Sequence, residues 1–266
     1  MAFLENILRI LDTQMTQPTL YGWFHILSLL LTAGAAVALC RWGKNWNPRT
    51  VVLITAAVVS VLEIYKQINY SFSYGDGIRF DYQWYAFPFQ FCSTPMYVGL
   101  LAGLTKKGKI HEAANAYLAT YAVFAGVCVM LYPATVFIGT VGINIQTMVC
   151  HGSMIVVGVY LLYTGYVKVK HGTVLKAAPV FVVCVGLACA MNELAFRTGL
   201  LETETFDMFF ISPYGTPSLP VYSLVQNMVP FPWCLVIYVA GFTLAAYLML
   251  LLAIGIRVIV RKKTAV

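Results

Sequence analysis

Long apolar runs separated by short polar connections make up most of the chain. Seven windows stand out: Tyr21–Cys40, Val51–Tyr70, Pro88–Leu104, Ala113–Leu131, Ile145–Val167, Ala177–Phe196 and Phe231–Ile256. An apolar run of roughly 18 or more residues is long enough to cross a hydrocarbon core about 30 Å thick as a helix. A transmembrane β-barrel would show short alternating segments instead, and the chain has no such alternation. The pattern predicts an all-α polytopic membrane protein, a bundle of seven transmembrane helices forming one transmembrane domain over residues 1–266. Ahead of the first span, Phe3, Leu4, Ile7, Leu8 and Leu11 recur at helical spacing. They predict a short interfacial helix within residues 1–19.

Composition agrees with this pattern. Of 266 residues, 60% are hydrophobic and 10% charged, where a soluble domain carries about a quarter charged residues. The charges also set a direction. Arg41, Lys44 and Arg49 lie in the first connection, Lys106, Lys107 and Lys109 in the third, and Lys168, Lys170 and Lys176 in the fifth. Arg257, Arg261, Lys262 and Lys263 close the chain, while the intervening loops hold Asp76, Asp81, Glu202, Glu204 and Asp207. Short cytoplasmic loops are the basic ones, so the N-terminus is expected outside and the C-terminus in the cytoplasm. The net charge of +7 is then a cytoplasmic collar and requires no nucleic-acid partner. Ala36-Val37-Ala38 resembles a signal-peptidase site, but the preceding region lacks a basic start and carries Glu5 and Asp12, so cleavage is not expected.

The candidate chemistry is intramembrane. Ionisable side chains inside a span are expensive and mark functional sites by default. With the expected topology, Cys92 lies roughly 6 Å below the outer edge, and His151 and Glu63 about 10 Å below it. His25, Gln90, Asn192 and Glu193 fall in the same outer half, and Asn144 shares a helical stripe with Thr147 and His151. This sorting predicts one polar pocket facing the outer leaflet. Residues 197–230 are apolar and broken by Pro213, Pro217, Pro220 and Pro230, which suits an outer-face loop or lid. Pro88 and Pro95 place Cys92 near a helix N-terminus, where free N–H groups and the dipole favour an anion. A thiol and an imidazole at one depth suggest a Cys–His nucleophile pair.

Each residue also has a structural reading. Glu63 can pair with Lys66 one turn on, His25 can be an interfacial histidine, and Asn192 can bond between helices. His111 and His171 fall in basic loops and are expected to be solvated. Seven cysteines without CxxC spacing predict neither a disulfide framework nor a metal site, and no cofactor is expected. Oligomeric state is left open.

At Phe87-Pro-Phe-Gln-Phe-Cys92, with Glu63 before it and His151 and Asn192 after it, the chain resembles the YwaF family of bacterial integral membrane proteins. That family is similar to the transmembrane protein 164 acyltransferase and, more distantly, to the androgen-induced fatty-acid ester hydrolases. The resemblance implies Cys92 as nucleophile, His151 as its partner, a membrane lipid as substrate and a bacterial plasma membrane as location. The chain departs from the pattern at Gln90, where the family has histidine. The expected function is therefore a membrane-embedded lipid acyltransferase or acyl-ester hydrolase acting through a thioester on Cys92. Glu63, Gln90, Asn192, His25, Glu193 and Asn144 would orient the imidazole or bind substrate. A small-solute transporter or sensor using the same pocket is the alternative, although no inverted repeat supports it. A retinal protein is disfavoured, since Phe231–Ile256 contains no lysine.

Overall fold

Prolines, glycines and caps decide where the helices begin and end. The computed structural model describes residues 2–74, 77–199, 206–216, 219 and 222–264. Asp76, Glu202, Glu204, Pro217 and Pro220, and the side chains of Leu4, Arg261, Lys262 and Lys263, lie outside the described residues. The chain opens with helix α1, Ala2–Leu11, as the spacing of its apolar residues predicts. Helix α2, Trp23–Trp42, stops at Gly43, whose N–H caps the Leu39 carbonyl. Helix α3, Pro48–Asn69, starts with Pro48 in its first turn and with Asn47 accepting the Arg49 N–H, so the cap satisfies a donor that the helix cannot.

A short hairpin follows, β1 (Phe72–Ser73) paired antiparallel with β2 (Arg79–Phe80), and then a 3-10 turn at Trp84–Ala86. Helix α4 covers Thr94–Leu104, α5 Lys109–Leu118, α6 Tyr121–Leu131, α7 Val141–Tyr163 and α8 Gly172–Thr198. A 3-10 turn at Met208–Phe210, helix α9 (Tyr222–Met228) and helix α10 (Phe231–Thr264) complete the order. Among the described residues, six helical stretches are long and apolar enough to cross a membrane, with the α5–α6 pair counted as one. The chain is an integral membrane protein with an all-α polytopic architecture.

Two of the seven expected spans are not continuous helices. The third is helical only from Thr94 to Leu104, about 16 Å at 1.5 Å per residue and roughly half of a hydrocarbon core. Pro95 lacks an N–H and clashes with a carbonyl four residues back, so a regular helix cannot extend through Phe91. The fourth breaks at Ala119–Thr120, between α5 and α6. That break packs directly on α7, where a Cβ at Gly158 would lie 2.8 Å from the Leu118 carbonyl and 2.1 Å from Val123. Only glycine permits this approach. The broken pair forms the centre of the molecule, with 72% of its apolar window buried against 6% for α2.

The basic connections share one end. There the Tyr160 hydroxyl donates to the Gly43 and Trp46 carbonyls at 3.0 and 3.2 Å, and Lys176 pairs with Glu112. His111, expected to be solvated, is buried at this end between Thr105 (3.2 Å) and the Tyr166 hydroxyl (2.8 Å). His171 is exposed and bonds Tyr247 at 2.7 Å. The opposite end carries α1, the hairpin and residues 206–216. Here residues 13–17 strap onto the α6–α7 connection through Met15 N–H to Gly139 O (2.6 Å) and Val141 N–H to Thr13 O (2.9 Å).

Candidate functional site

The segment between the hairpin and α4 positions Cys92. Phe91 turns into the core against Phe181, Phe209 and Phe242, with centroid distances of 5.2 to 5.7 Å. This anchors a turn at residues 90–93 that holds Cys92 at the side of the bundle. The N–H groups of Ser93 and Thr94 both donate to the Gln90 carbonyl, at 2.8 and 3.2 Å, and Met96 N–H donates to Ser93 O. With Pro95 contributing none, the start of α4 offers no row of free N–H groups to an oxyanion, contrary to the expectation from sequence.

Cys92 lies at one end of a groove between α3, α4 and α7. The lining repeats at heptad spacing on all three: Val52, Thr55, Ala56 and Val59 on α3; Cys92, Pro95, Met96 and Gly99 before and along α4; Cys150, Ser153, Met154 and Val157 on α7. Helix α3 runs opposite to the other two, so Val59, Cys92 and Cys150 share one end, and Val52, Gly99 and Val157 the other. Cys150, not singled out from the sequence, is thus a second thiol on the same groove.

One helical turn beyond the two thiols lies a polar cluster. The Glu63 carboxylate is buried, with Lys66 Nζ at 2.8 Å, Gln67 Nε2 at 2.8 Å and Gln146 Nε2 at 3.3 Å. Gln146 also reaches Cys150 Sγ at 3.3 Å, while Gln67 is fixed by the Ala86 carbonyl (2.9 Å) and the Tyr82 hydroxyl (2.5 Å). Glu63 therefore forms the ion pair with Lys66 that its spacing allows, and it makes no hydrogen bond to His151. Gln67 and Gln146 were not singled out from the sequence. Gln146 and Cys150 sit four apart on the α7 face that carries Ser153 and Val157, but nothing linear says that this face meets Glu63. Breaking one half of a buried pair costs on the order of 3–5 kcal/mol, because the other charge is left uncompensated. Lys66→Met is accordingly expected to lower the thermal midpoint in detergent sharply, and Lys66→Met with Glu63→Gln to recover most of it. Equal midpoints for the parent and Lys66→Met would show that the pair is not structural.

His151 is buried on the next face of α7. Its Nδ1–H donates to the Thr147 carbonyl at 2.7 Å, which leaves Nε2 of the neutral ring as a lone pair. Among the described residues Nε2 has no hydrogen-bond partner. Cys92 and His151 are thus not hydrogen-bonded to each other. An unpartnered buried nitrogen is uncommon in a folded protein and calls for an explanation.

The other expected site residues do not converge on this place, so the single polar pocket is corrected to several separate polar contacts. Gln90 and Asn192 hold the 3-10 turn at Met208–Phe210. Gln90 donates to the Asp207 carbonyl and accepts from Phe209 N–H, both at 2.9 Å. Asn192 donates to the Met208 carbonyl at 3.1 Å and accepts from its N–H at 2.8 Å. Neither orients the imidazole. Burial pushes the Asp207 carboxyl up to about 6, although the N–H groups of Ser212 and Ile211 draw it down. His25 is fully buried and satisfied, bonded to the Met130 carbonyl (2.8 Å) and the Tyr21 N–H (2.9 Å). Asn144 braces the α6–α7 connection through both main-chain groups of Ile138, at 2.7 and 3.0 Å. Glu193 sits at the surface, paired with Arg197 at 2.5 Å and hydrogen-bonded by the Tyr214 hydroxyl.

Among the described residues, no three His, Cys, Asp or Glu side chains come together as a metal site would require. No curated protein and no solved structure matches the chain. A family comparison does match, over residues 20–252. That span includes α2 to α8, the groove, the Glu63 cluster and most of α10, and a match over so much of the chain shows descent. The chain belongs to the TMEM164 family.

Proposed function

We propose that the protein is a lipid acyltransferase or acyl-ester hydrolase embedded in the membrane, with Cys92 as nucleophile and His151 as general base and acid. The observation that carries this reading is the position of Cys92. The thiol sits at a boundary, with a charged and amide-rich cluster one turn to one side and an apolar groove to the other. A lipid ester has the same layout, its carbonyl joining a polar head to an apolar chain. Membership of the TMEM164 family supports acyl chemistry.

The bundle in this reading spans the bilayer seven times, with the third crossing completed by residues 87–93. The basic end faces the cytoplasm, so the N-terminus and the Cys92 boundary lie toward the outer leaflet. Helix α1 lies on the membrane surface, and residues 206–216 cover the bundle end. A bacterial plasma membrane is the setting that the resemblance at Phe87–Cys92 supports.

The reaction proceeds in two balanced halves. His151 Nε2 takes the thiol proton, and the Cys92 sulfur bonds to the ester carbonyl carbon. The bond from that carbon to the lipid alcohol oxygen then breaks, the alcohol leaves with the proton held on His151, and a thioester remains. In the second half, an acceptor hydroxyl or water loses its proton to Nε2 as its oxygen bonds to the thioester carbon. The carbon–sulfur bond breaks and the thiolate regains the proton. Since Nε2 carries no hydrogen bond among the described residues, the thiol–imidazole contact closes in the complex, as is common for catalytic hydrogen bonds. The resident charges one turn beyond the thiols are Lys66 and Glu63.

The test is intact-mass spectrometry of the purified protein in phospholipid vesicles. The parent is expected to gain an acyl mass that maps to Cys92, and Cys92→Ala to gain none and to turn over no lipid. Unmodified Cys92 under every lipid composition, together with unchanged lipid turnover in Cys92→Ala, would overturn the nucleophile assignment.

A further inference from the structure

We infer that the groove between α3, α4 and α7 is an acyl-chain channel, which holds the carbons next to the reacting carbonyl straight for about two helical turns. The inference rests on the proposed acyl chemistry and deepens it by assigning the chain of the lipid to a place.

The channel follows from its lining. Val52 and Val59 on α3, and Cys150 and Val157 on α7, are seven positions apart, an interval of about 10.5 Å on a helix; the third wall runs from Cys92, in the turn ahead of α4, to Gly99 on α4. The α3 and α7 walls therefore contribute the same length, starting level with Cys150. Beyond Cys92, Cys150, Thr55 and Ser153, the lining is Val, Ala, Pro, Met, Gly and Leu. The Ser153 hydroxyl is turned onto the Cys150 carbonyl at 2.7 Å and so offers the groove little polarity. The enclosed space is about 30 Å³, a narrow slot with one open side. Small residues hold α3 and α4 close together, since a Cβ at Gly99 would lie 3.0 Å from the Ala56 Cβ. The channel is thus narrow enough for one chain.

Shape selects the occupant here. Bilayer tails are as apolar as the groove, so a chain gains no hydrophobic free energy on leaving them. What separates one chain from another is steric fit along a narrow wall. The polar cluster of Glu63, Lys66, Gln67 and Gln146 closes the thiol end to apolar atoms, which places the head of the lipid there and its chain in the opposite direction. Single-chain entry at Cys92 explains why the nucleophile sits on a coil turn beside the groove mouth and not within a regular helix.

The channel predicts a length cut-off that moves with the position of a plug. Methyl, butyl and octyl methanethiosulfonates transfer their alkylthio group to a thiolate, forming a disulfide and releasing methanesulfinate. Their rates at Cys92 are read by peptide mass spectrometry relative to Cys128, an exposed thiol of the same molecule, which corrects for partition into the bilayer. Val157→Phe fills the far end of the groove. It is expected to leave methyl and butyl labelling of Cys92 unchanged and to slow octyl labelling about tenfold by overpacking. Ser153→Leu, one turn from Cys150, is expected to slow butyl and octyl alike and to spare methyl. A misfolded variant would expose Cys92 to all three reagents and raise the rates, so a length-selective fall cannot arise from unfolding. Identical octyl-to-methyl ratios in the parent and both variants would overturn the channel. Labelling requires no catalysis, so a length cut-off without any lipid-derived acyl mass would leave the channel standing and remove the acyltransferase reading. An acyl mass without the cut-off would do the reverse.

Discussion

His151→Gln is expected to reduce lipid turnover by about a hundredfold to ten-thousandfold, the range for loss of a positioned general base or acid, while leaving the protein folded. The Nδ1–H bond to the Thr147 carbonyl fixes the tautomer and aims the Nε2 lone pair into the protein, where no described group meets it. A glutamine amide can still donate toward Thr147 but brings no base to the thiol. In the proposed mechanism both half-reactions use Nε2, so single-turnover acylation and deacylation should slow together, and the thermal midpoint should stay close to that of the parent. A purely structural histidine would give the opposite pattern, with the midpoint lowered and the rates kept. Turnover within a few fold of the parent would rule His151 out as the base.

Asn192→Leu carries the largest expected effect on stability. Asn192 supplies both partners of the Met208 main chain, its carbonyl and its N–H, at a residue with no exposed surface. Leaving a buried polar group unpaired costs about 1–3 kcal/mol, so losing both partners costs roughly 2–6 kcal/mol. The neighbouring turn is strained besides, because Phe209 and Phe210 have φ values of 63° and 56°, a region that bulky residues visit only when held. Gln90 does the same for Asp207 and Phe209. Gln90→Leu should therefore be destabilising too, and the pair should be non-additive, since both amides hold three consecutive residues. Hydrogen exchange at the Met208 and Phe209 amides measures this directly. Exchange as slow in Asn192→Leu as in the parent would show that the packing of Phe209 alone holds the turn.

These two amides show why role assignment from a linear chain falls short. Gln90 and Asn192 are rare polar residues in apolar surroundings, and that rarity is visible in the sequence. Their common partner is the main chain of a loop more than a hundred residues beyond Gln90, and main-chain groups carry no signature in the amino-acid pattern. His25 and Asn144 were likewise conspicuous and likewise serve carbonyls and N–H groups, at Met130 and Ile138. Sorting them to one end of the bundle was legible. Merging them into one pocket was not justified, because depth is one coordinate and a pocket requires three.

The helix breaks divide in the same way. Pro95 announces the shortened α4, since a missing N–H and a ring clash are properties of the residue itself. The break at Ala119–Thr120 has no such mark in the chain. It becomes intelligible only when Gly158 of α7 is seen to admit the Leu118 carbonyl, a contact between segments forty residues apart.

By itself, the amino-acid sequence determined the solvent and the architecture. Apolar runs of span length leave the main chain no option in a bilayer except helix, and the clustered basic connections assigned those helices to alternate ends. It also marked Cys92, His151 and Glu63, because a thiol, an imidazole and a carboxylate are conspicuous among aliphatic neighbours. Tertiary structure alone decided which faces meet. It set Gln146 between Glu63 and Cys150, left Nε2 of His151 without a partner among the described residues, and aligned three stripes into one groove ending at Cys92. Helical periodicity records only that a face exists, whereas helix direction, crossing and close approach at glycine determine what that face touches.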